Sequence, residues 1–190
     1  MNQLPLQTLP EFATNMQPDT PCNSFLTSLY QKERLFFMLR FGLAYVEEEG
    51  KDGQRQLQKH IMRYPQYFAT RAIKDMISKN IKKGVIWHTQ GSGKTALAYF
   101  NIRYLKNYFS KKRVIPKFYF VVDRLDLADQ AYREFAKRGL QVKRINKPKE
   151  LNQKHDGYDV AVVNIQKFKD SSDLTDSSGY DLNCQNVYFI

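Results

Sequence analysis

The second half of the chain alternates short apolar runs with longer segments in which apolar residues recur every three or four positions. Short runs of this kind are typical of buried strands, and the longer segments of amphipathic helices. The pattern predicts strands at residues 84–88, 117–122, 142–145, 159–164 and 186–190, and helices at residues 94–109 and 125–137. Strands that alternate with helices imply right-handed crossovers and a mainly parallel sheet. The sequence therefore predicts an α/β fold.

The first eighty residues carry a different pattern. Residues 1–22 contain four of the seven prolines and mostly small polar residues, which favours an extended or disordered lead. Helical periodicity starts at Phe25 and stops at Gly42, and it returns between residues 55 and 78 with a restart at a Tyr-Pro pair. Residues 43–49 are expected to form a short extended arm. The predicted organisation is a lead, a helical segment and an α/β lobe, at residues 1–22, 23–80 and 81–190.

The sequence GVIWHTQGSGKT, residues 84–95, joins a short apolar run to a glycine-containing turn that opens a helix. Small residues let successive backbone N–H groups curl around an anion, and the helix N-terminus adds its positive end. A lysine at Lys94 would reach the β- and γ-phosphates of ATP, and the Thr95 hydroxyl would ligate Mg²⁺. The strict pattern wants glycine at position 88, where this chain has histidine. The sequence predicts a phosphate-binding P-loop formed by Thr89, Gln90, Gly91, Ser92, Gly93, Lys94 and Thr95.

An aromatic segment, RYPQYFA, lies about twenty residues upstream of the P-loop. The amide of Gln66 carries both a donor and an acceptor, which complement the edge of adenine. Tyr64 or Tyr67 would then stack on the base. The competing interpretation is a solvated glutamine on a helix surface, and the residues alone leave both open.

The apolar run at residues 118–122 ends in Asp123 and leads directly into a helix. In a small P-loop kinase, a carboxylate at that position supplies the Mg²⁺ ligand. In a helicase motor, the same loop contacts nucleic acid instead, and Arg124 would meet a DNA phosphate. Asp126 is expected to cap the helix that follows.

A second strand, residues 159–164, also ends in polar residues. Open α/β sheets place their ligands at this carboxyl edge. Asn164, Gln166 and Lys167 are therefore candidate contacts for a DNA backbone, with an ordinary polar loop as the alternative.

The overall charge narrows the range of partners. The formal net charge is +11, and residues 1–30 contain no Lys or Arg, so the basic residues all lie in the rest of the chain. Such a body suits a polyanion such as DNA or RNA. The sequence shows no apolar run of about 18 residues and no secretory signal, so no contact with a membrane is expected. Cys22 and Cys184 have no CxxC partner, which favours a reduced, cytoplasmic setting.

Four motifs together resemble the R subunit of type I restriction enzymes, the motor and endonuclease subunit. The P-loop nonapeptide WHTQGSGKT is similar to the P-loop of that family, and VVDRLDL is similar to its second motor motif. The NIQKF and RYPQYFA stretches resemble two further family motifs, the latter being its adenine-sensing segment. The order and the spacing of all four agree.

The resemblance implies a partial RecA-like first motor lobe of the superfamily 2 helicase type. It implies ATP-driven translocation of double-stranded DNA before cleavage, in a complex with modification (methyltransferase) and specificity subunits. Arg63 and Gln66 would contact the adenine, and Asp123 would belong to the second motor motif rather than to the metal site. Other superfamily 2 translocases, and a small P-loop nucleotide kinase, are the alternatives.

Parts of the family pattern are missing from these 190 residues. The Asp-Glu-x-His box would follow Ile190, and the second motor lobe with its arginine finger and the nuclease domain are not present. Hydrolysis of ATP needs the missing carboxylate and arginine. We therefore expect a linker plus most of the first motor lobe, inactive as an ATPase by itself.

Overall fold

The computed structural model describes residues 20–50, 53–146, 150, 157–168 and 184–189. It divides into two compact units, Met1–Leu43 and Ala44–Ile190. Most of the predicted lead, residues 1–19, lies outside the described residues.

The first unit contains two helices, α1 (Pro21–Tyr30) and α2 (Lys32–Phe41). The prediction that the first helix starts at Phe25 was wrong, because α1 begins four residues earlier, at Pro21. A proline fits the first turn of a helix, where its missing N–H needs no partner. Gln31, with the non-helical backbone angles φ −51° and ψ 126°, separates the two helices. Gly42 ends α2 as predicted, and its N–H donates to the Met38 carbonyl at 2.9 Å.

The two units meet at the first residue of β1 (Leu43–Glu49), and the second unit begins with the two-stranded sheet that β1 forms with β2 (Arg55–Ile61). In the connection, the Gly50 N–H donates to the Gln54 carbonyl at 2.8 Å. The predicted helix over β2 was wrong. Leu57 and Ile61 are four residues apart, a spacing that places them on one face of a helix and equally on one face of a strand. Pairing with β1 decides the outcome in favour of the strand.

The main sheet has four strands: β3 (Ile115–Val122), β4 (Val142–Ile145), β5 (Val160–Asn164) and β6 (Cys184–Phe189). Their order is β4-β5-β3-β6, and every pair is parallel. Val122 lies opposite Asn164, so the carboxyl ends of β3 and β5 are level at one edge of the sheet. The predicted α/β class with a parallel sheet is confirmed.

Three helices complete this unit: α3 (Tyr64–Ser78), α4 (Lys94–Ser110) and α5 (Leu125–Lys137). Helix α4 packs on β3 and α3, and α5 packs on β3, β4 and β5. The α5 face toward the sheet contains Ala128, Ala131 and Phe135, at helical spacing. The Phe135 ring meets Phe120 edge to face with centroids 5.2 Å apart, a favoured aromatic geometry.

The apolar run before the P-loop does not form the strand predicted at residues 84–88. Residues 81–89 have no regular secondary structure, and the side chains of Val85 and Trp87 are 90% and 92% exposed. A strand requires a neighbouring backbone to receive its hydrogen bonds. Within the described part of the chain, no strand pairs with this run. Its apolar composition is therefore not sufficient to make it a strand.

Candidate functional site

The segment predicted to be a P-loop forms a tight turn whose two glycines adopt left-handed backbone angles. Gly91 has a φ of 76°, and Gly93 has a φ of 78° and a ψ of 48° at the N-cap of α4. The Ser92 N–H donates to the Thr89 carbonyl at 3.3 Å and closes the turn. Residues with a Cβ enter this region at a cost of about 1–2 kcal/mol, which explains the glycines.

The turn delivers a helix N-terminus whose first donors are not capped. The first intrahelical bond runs from the Leu97 N–H to the Gly93 carbonyl at 2.9 Å, so the N–H groups of Lys94, Thr95 and Ala96 have no carbonyl of the helix to meet. No described side chain caps them, and the first turn contains no acidic residue. Donors in this arrangement, reinforced by the positive end of the helix dipole, are suited to bind an anion.

The predicted phosphate-binding side chains lie together on this turn. Lys94 is exposed, Thr95 is half-buried, and Thr89 and Gln90 are exposed. The Ser92 hydroxyl is enclosed and meets no hydrogen-bonding group of the described residues. The loop and the start of α4 together offer one ammonium, three hydroxyls and three uncapped N–H groups. This donor set fits a polyphosphate with its Mg²⁺.

Gln66 is brought to the P-loop although it lies 26 and 27 residues before its partners. Its side chain is 3% exposed. The Nε2 group donates to the Gly93 carbonyl at 3.0 Å and to the Ser92 carbonyl at 3.3 Å, and the Oε1 atom accepts the Arg63 N–H at 2.9 Å. A Cβ on Gly93 would lie 2.8 Å from that Nε2. Nothing in the local sequence signals this contact.

The other members of the upstream motif have separate surroundings. Tyr67 is buried, and its ring meets Phe68 edge to face with centroids 5.1 Å apart. Tyr64 is exposed, and its ring also meets that of Phe68, with centroids 4.5 Å apart. Arg63 precedes α3 with an exposed side chain, and its backbone N–H is the group that Gln66 accepts.

At the carboxyl edge of the sheet, Arg124 is held by its neighbour Asp126. Its Nε and Nη2 donate to the two carboxylate oxygens at 3.1 and 2.5 Å. This hydrogen bond from Arg124 lowers the pKa of the Asp126 carboxyl, and the backbone N–H groups at the start of α5 act in the same direction. Asp126 therefore stays ionised near the helix N-terminus, where a negative charge is favourable. Asp123 is exposed at the end of β3.

Asn164 is not placed to touch a DNA backbone. It is 4% exposed, and its Oδ1 accepts the Gln166 N–H at 2.9 Å, which shapes the short 3-10 turn Ile165–Phe168. The sequence could not distinguish this local turn contact from an outward-facing amide. Gln166 is exposed, and the Lys167 side chain lies outside what the structure describes.

Two further features of the described residues concern metal binding and membrane contact. They contain no group of three or more His, Cys, Asp and Glu side chains that could hold a metal ion. None of their helices is long and apolar enough to cross a membrane.

Comparison with known proteins agrees with this geometry. The family model for the SWI2/SNF2 ATPase matches residues 65–190. The putative type I restriction enzyme MjaVIIP endonuclease subunit of Methanocaldococcus jannaschii is 43% identical over 103 residues, which are 51% of this chain and 9% of that protein. The type I restriction enzyme SauCOLORF180P endonuclease subunit of Staphylococcus aureus (strain COL) is 34% identical over 109 residues, 56% of this chain and 11% of that protein.

A third relative matches over a longer stretch. The putative type I restriction enzyme MjaIXP endonuclease subunit of M. jannaschii is 26% identical over 163 residues, 80% of this chain and 14% of that protein. The chain thus spans only 9 to 14% of the length of these relatives. The resemblance to type I restriction endonuclease subunits is confirmed. Since the family model covers more than half of its residues, the chain belongs to the SWI2/SNF2 ATPase family.

Proposed function

We propose that this chain is the ATP-binding part of the motor of a type I restriction endonuclease subunit, which drives translocation of double-stranded DNA beside modification and specificity subunits. The observation that carries the proposal is the turn at Gly93, which presents Lys94 and three uncapped N–H groups at one helix end. The names of the three relatives support the restriction context. The SWI2/SNF2 match argues against a small nucleotide kinase.

Each P-loop residue has a role in this proposal. The N–H groups that follow Gly93 hold the phosphates, the Lys94 ammonium offsets their charge, and the Thr95 hydroxyl ligates Mg²⁺. When bound there, Mg²⁺ would neutralise part of the negative charge of the phosphates. Thr89, Gln90, Gly91 and Ser92 shape the cradle around the anion.

The proposed organisation along the chain is a lead at residues 1–22, a linker at residues 23–80 and an ATP-binding lobe at residues 81–190. Helix α3 belongs to the same compact unit as the sheet, and Gln66 bonds it to the P-loop. We therefore infer that the end of the linker works as part of the nucleotide site.

Affinity should follow the number of phosphates. With Mg²⁺ present, we expect ATP and tripolyphosphate to bind, ADP to bind more weakly and AMP to show no measurable binding. Each lost charge-assisted contact costs about 1.5–3 kcal/mol, at least about tenfold in Kd. Competition against a fluorescent ATP analogue measures the series. AMP binding as tightly as ATP would contradict the proposal.

DNA binding should be independent of sequence and sensitive to salt. The logarithm of the binding constant falls with the logarithm of salt concentration, with a slope of roughly −0.9 per phosphate contact. We expect Arg124→Ala to flatten that slope by about one unit without changing sequence preference. Arg133→Ala, at an exposed position further along α5, is the matched control and should leave the slope unchanged. If Arg124→Ala and Arg133→Ala show the same salt slope, or if the chain strongly prefers one DNA sequence, the result would argue against a motor lobe that follows the DNA backbone.

A further inference from the structure

The Gln66 side chain has both of its donor hydrogens committed to the P-loop backbone. A primary amide has two N–H hydrogens, and here they face the carbonyl oxygens of Ser92 and Gly93 at 3.3 and 3.0 Å. The amide oxygen is held in turn by the Arg63 N–H. The side chain is thereby fixed at both ends between the start of α3 and the start of α4.

Recognition of adenine would require the same atoms. A glutamine reads the adenine edge by donating to N7 and accepting from N6. To donate, Gln66 must give up a bond to Ser92 or to Gly93, and to reach a base it must leave a site in which it is 3% exposed. The arrangement in this structure therefore favours the P-loop backbone, and not a base, as the hydrogen-bonding partner of Gln66.

We propose that Gln66 is a positioning residue for the P-loop, and that it raises the affinity for any nucleoside triphosphate without regard to the base. The inference rests on the proposed function, since it concerns the same phosphate cradle. The Gly93 carbonyl receives both the Leu97 N–H that begins α4 and the Gln66 amide. The second bond fixes the orientation of the peptide at the point where the anion-binding N–H groups begin.

Binding of ATP, GTP and tripolyphosphate to the 190-residue chain and its variants tests the inference. We expect Gln66→Ala to weaken all three by the same factor of about ten, because two buried hydrogen bonds are lost whichever ligand is present. The ratio of ATP to GTP affinity should not change. Weaker binding of ATP alone, with tripolyphosphate unaffected, would overturn the inference in favour of an adenine contact. No change for any ligand would overturn it as well.

Gln66→Glu distinguishes hydrogen bonding from packing. An ionised carboxylate presents no donor to the Ser92 and Gly93 carbonyls, whereas a protonated one presents a single O–H. At pH 8 we expect tripolyphosphate to bind more weakly to Gln66→Glu than to Gln66→Ala. The affinity of Gln66→Glu relative to the unchanged protein at the same pH should recover partly as the pH falls toward 5. A ratio that does not change with pH would overturn the hydrogen-bonding role.

Two further variants separate the possible failures. Thr70→Ala perturbs a fully buried residue one turn further along α3 and should leave all three affinities unchanged. If it weakens binding as much as Gln66→Ala does, the effect of Gln66 is packing alone and the inference fails. If Lys94→Ala leaves tripolyphosphate binding unchanged, the proposed function fails. If Lys94→Ala weakens binding and the Gln66 variants do not, the inference alone fails.

Discussion

Lys94→Ala should remove most of the affinity for MgATP. The ammonium group follows directly on the left-handed turn at Gly93, and in the proposed site its charge offsets that of the phosphates. Losing a charge-assisted contact of this kind costs about 1.5–3 kcal/mol, on the order of 10- to 150-fold in Kd. Titration of a fluorescent ATP analogue, with unlabelled tripolyphosphate as competitor, measures the loss. Because Lys94 is exposed, thermal unfolding of the variant should occur within a degree or two of the unchanged protein.

Lys111→Ala is the matched control for charge. Lys111 is exposed and follows the opposite end of the same helix, so its removal lowers the net charge equally without touching the P-loop. Its affinity for ATP should match that of the unchanged protein. If both lysine variants lose the same small amount of affinity, the effect is one of overall charge, and the assignment of the P-loop is wrong.

Gly93→Ala should damage the site through two separate effects. The added methyl group forces a φ of 78° on a residue with a Cβ, which costs about 1–2 kcal/mol. It also lies 2.8 Å from the Gln66 Nε2, so the bonds to the Ser92 and Gly93 carbonyls are strained or broken. We expect a loss of tripolyphosphate affinity of at least about tenfold, together with a lower melting temperature.

Gly91→Ala separates the two effects. Gly91 has a φ of 76°, but a Cβ there meets nothing within 4 Å. It should therefore show the backbone strain and little more, so that Gly93→Ala is the worse variant in affinity. Gln66→Ala should lower tripolyphosphate affinity less in the Gly93→Ala variant than in the unchanged protein, because Gly93→Ala has already removed the contact with Gln66. Equal losses for the two glycine variants would show that the contact with Gln66 contributes nothing.

The bounds of a helix that packs one face on the sheet were predictable from the sequence. Helix α5 spans Leu125–Lys137 as predicted, because Ala128, Ala131 and Phe135 recur at helical spacing between polar residues. Strand β4, Val142–Ile145, also has its predicted bounds. In these segments the local preference and the tertiary environment favour the same conformation.

Strands that depend on a distant partner were not predictable in the same way. The β2 segment has a spacing of apolar residues compatible with a helix, and only hydrogen bonding to β1 makes it a strand. The run Val85 to Trp87 has strand-like composition, yet no described strand receives it. Whether an apolar run becomes a strand is decided by a neighbouring backbone, which composition does not encode.

By itself, the sequence determined the turn at Gly91 and Gly93 and the helix start that follows it. Two glycines that can adopt a positive φ, followed by Lys94 at the start of a helix, act through neighbours in the chain, so their spacing is sufficient to predict the cradle. Only the tertiary structure decided what surrounds it. An amide is equally able to bond to a base, to water or to a peptide, and the choice depends on which groups lie within about 3 Å of it. For Gln66, the packing of α3 beside α4 places the Ser92 and Gly93 carbonyls there, 26 and 27 residues away in the chain.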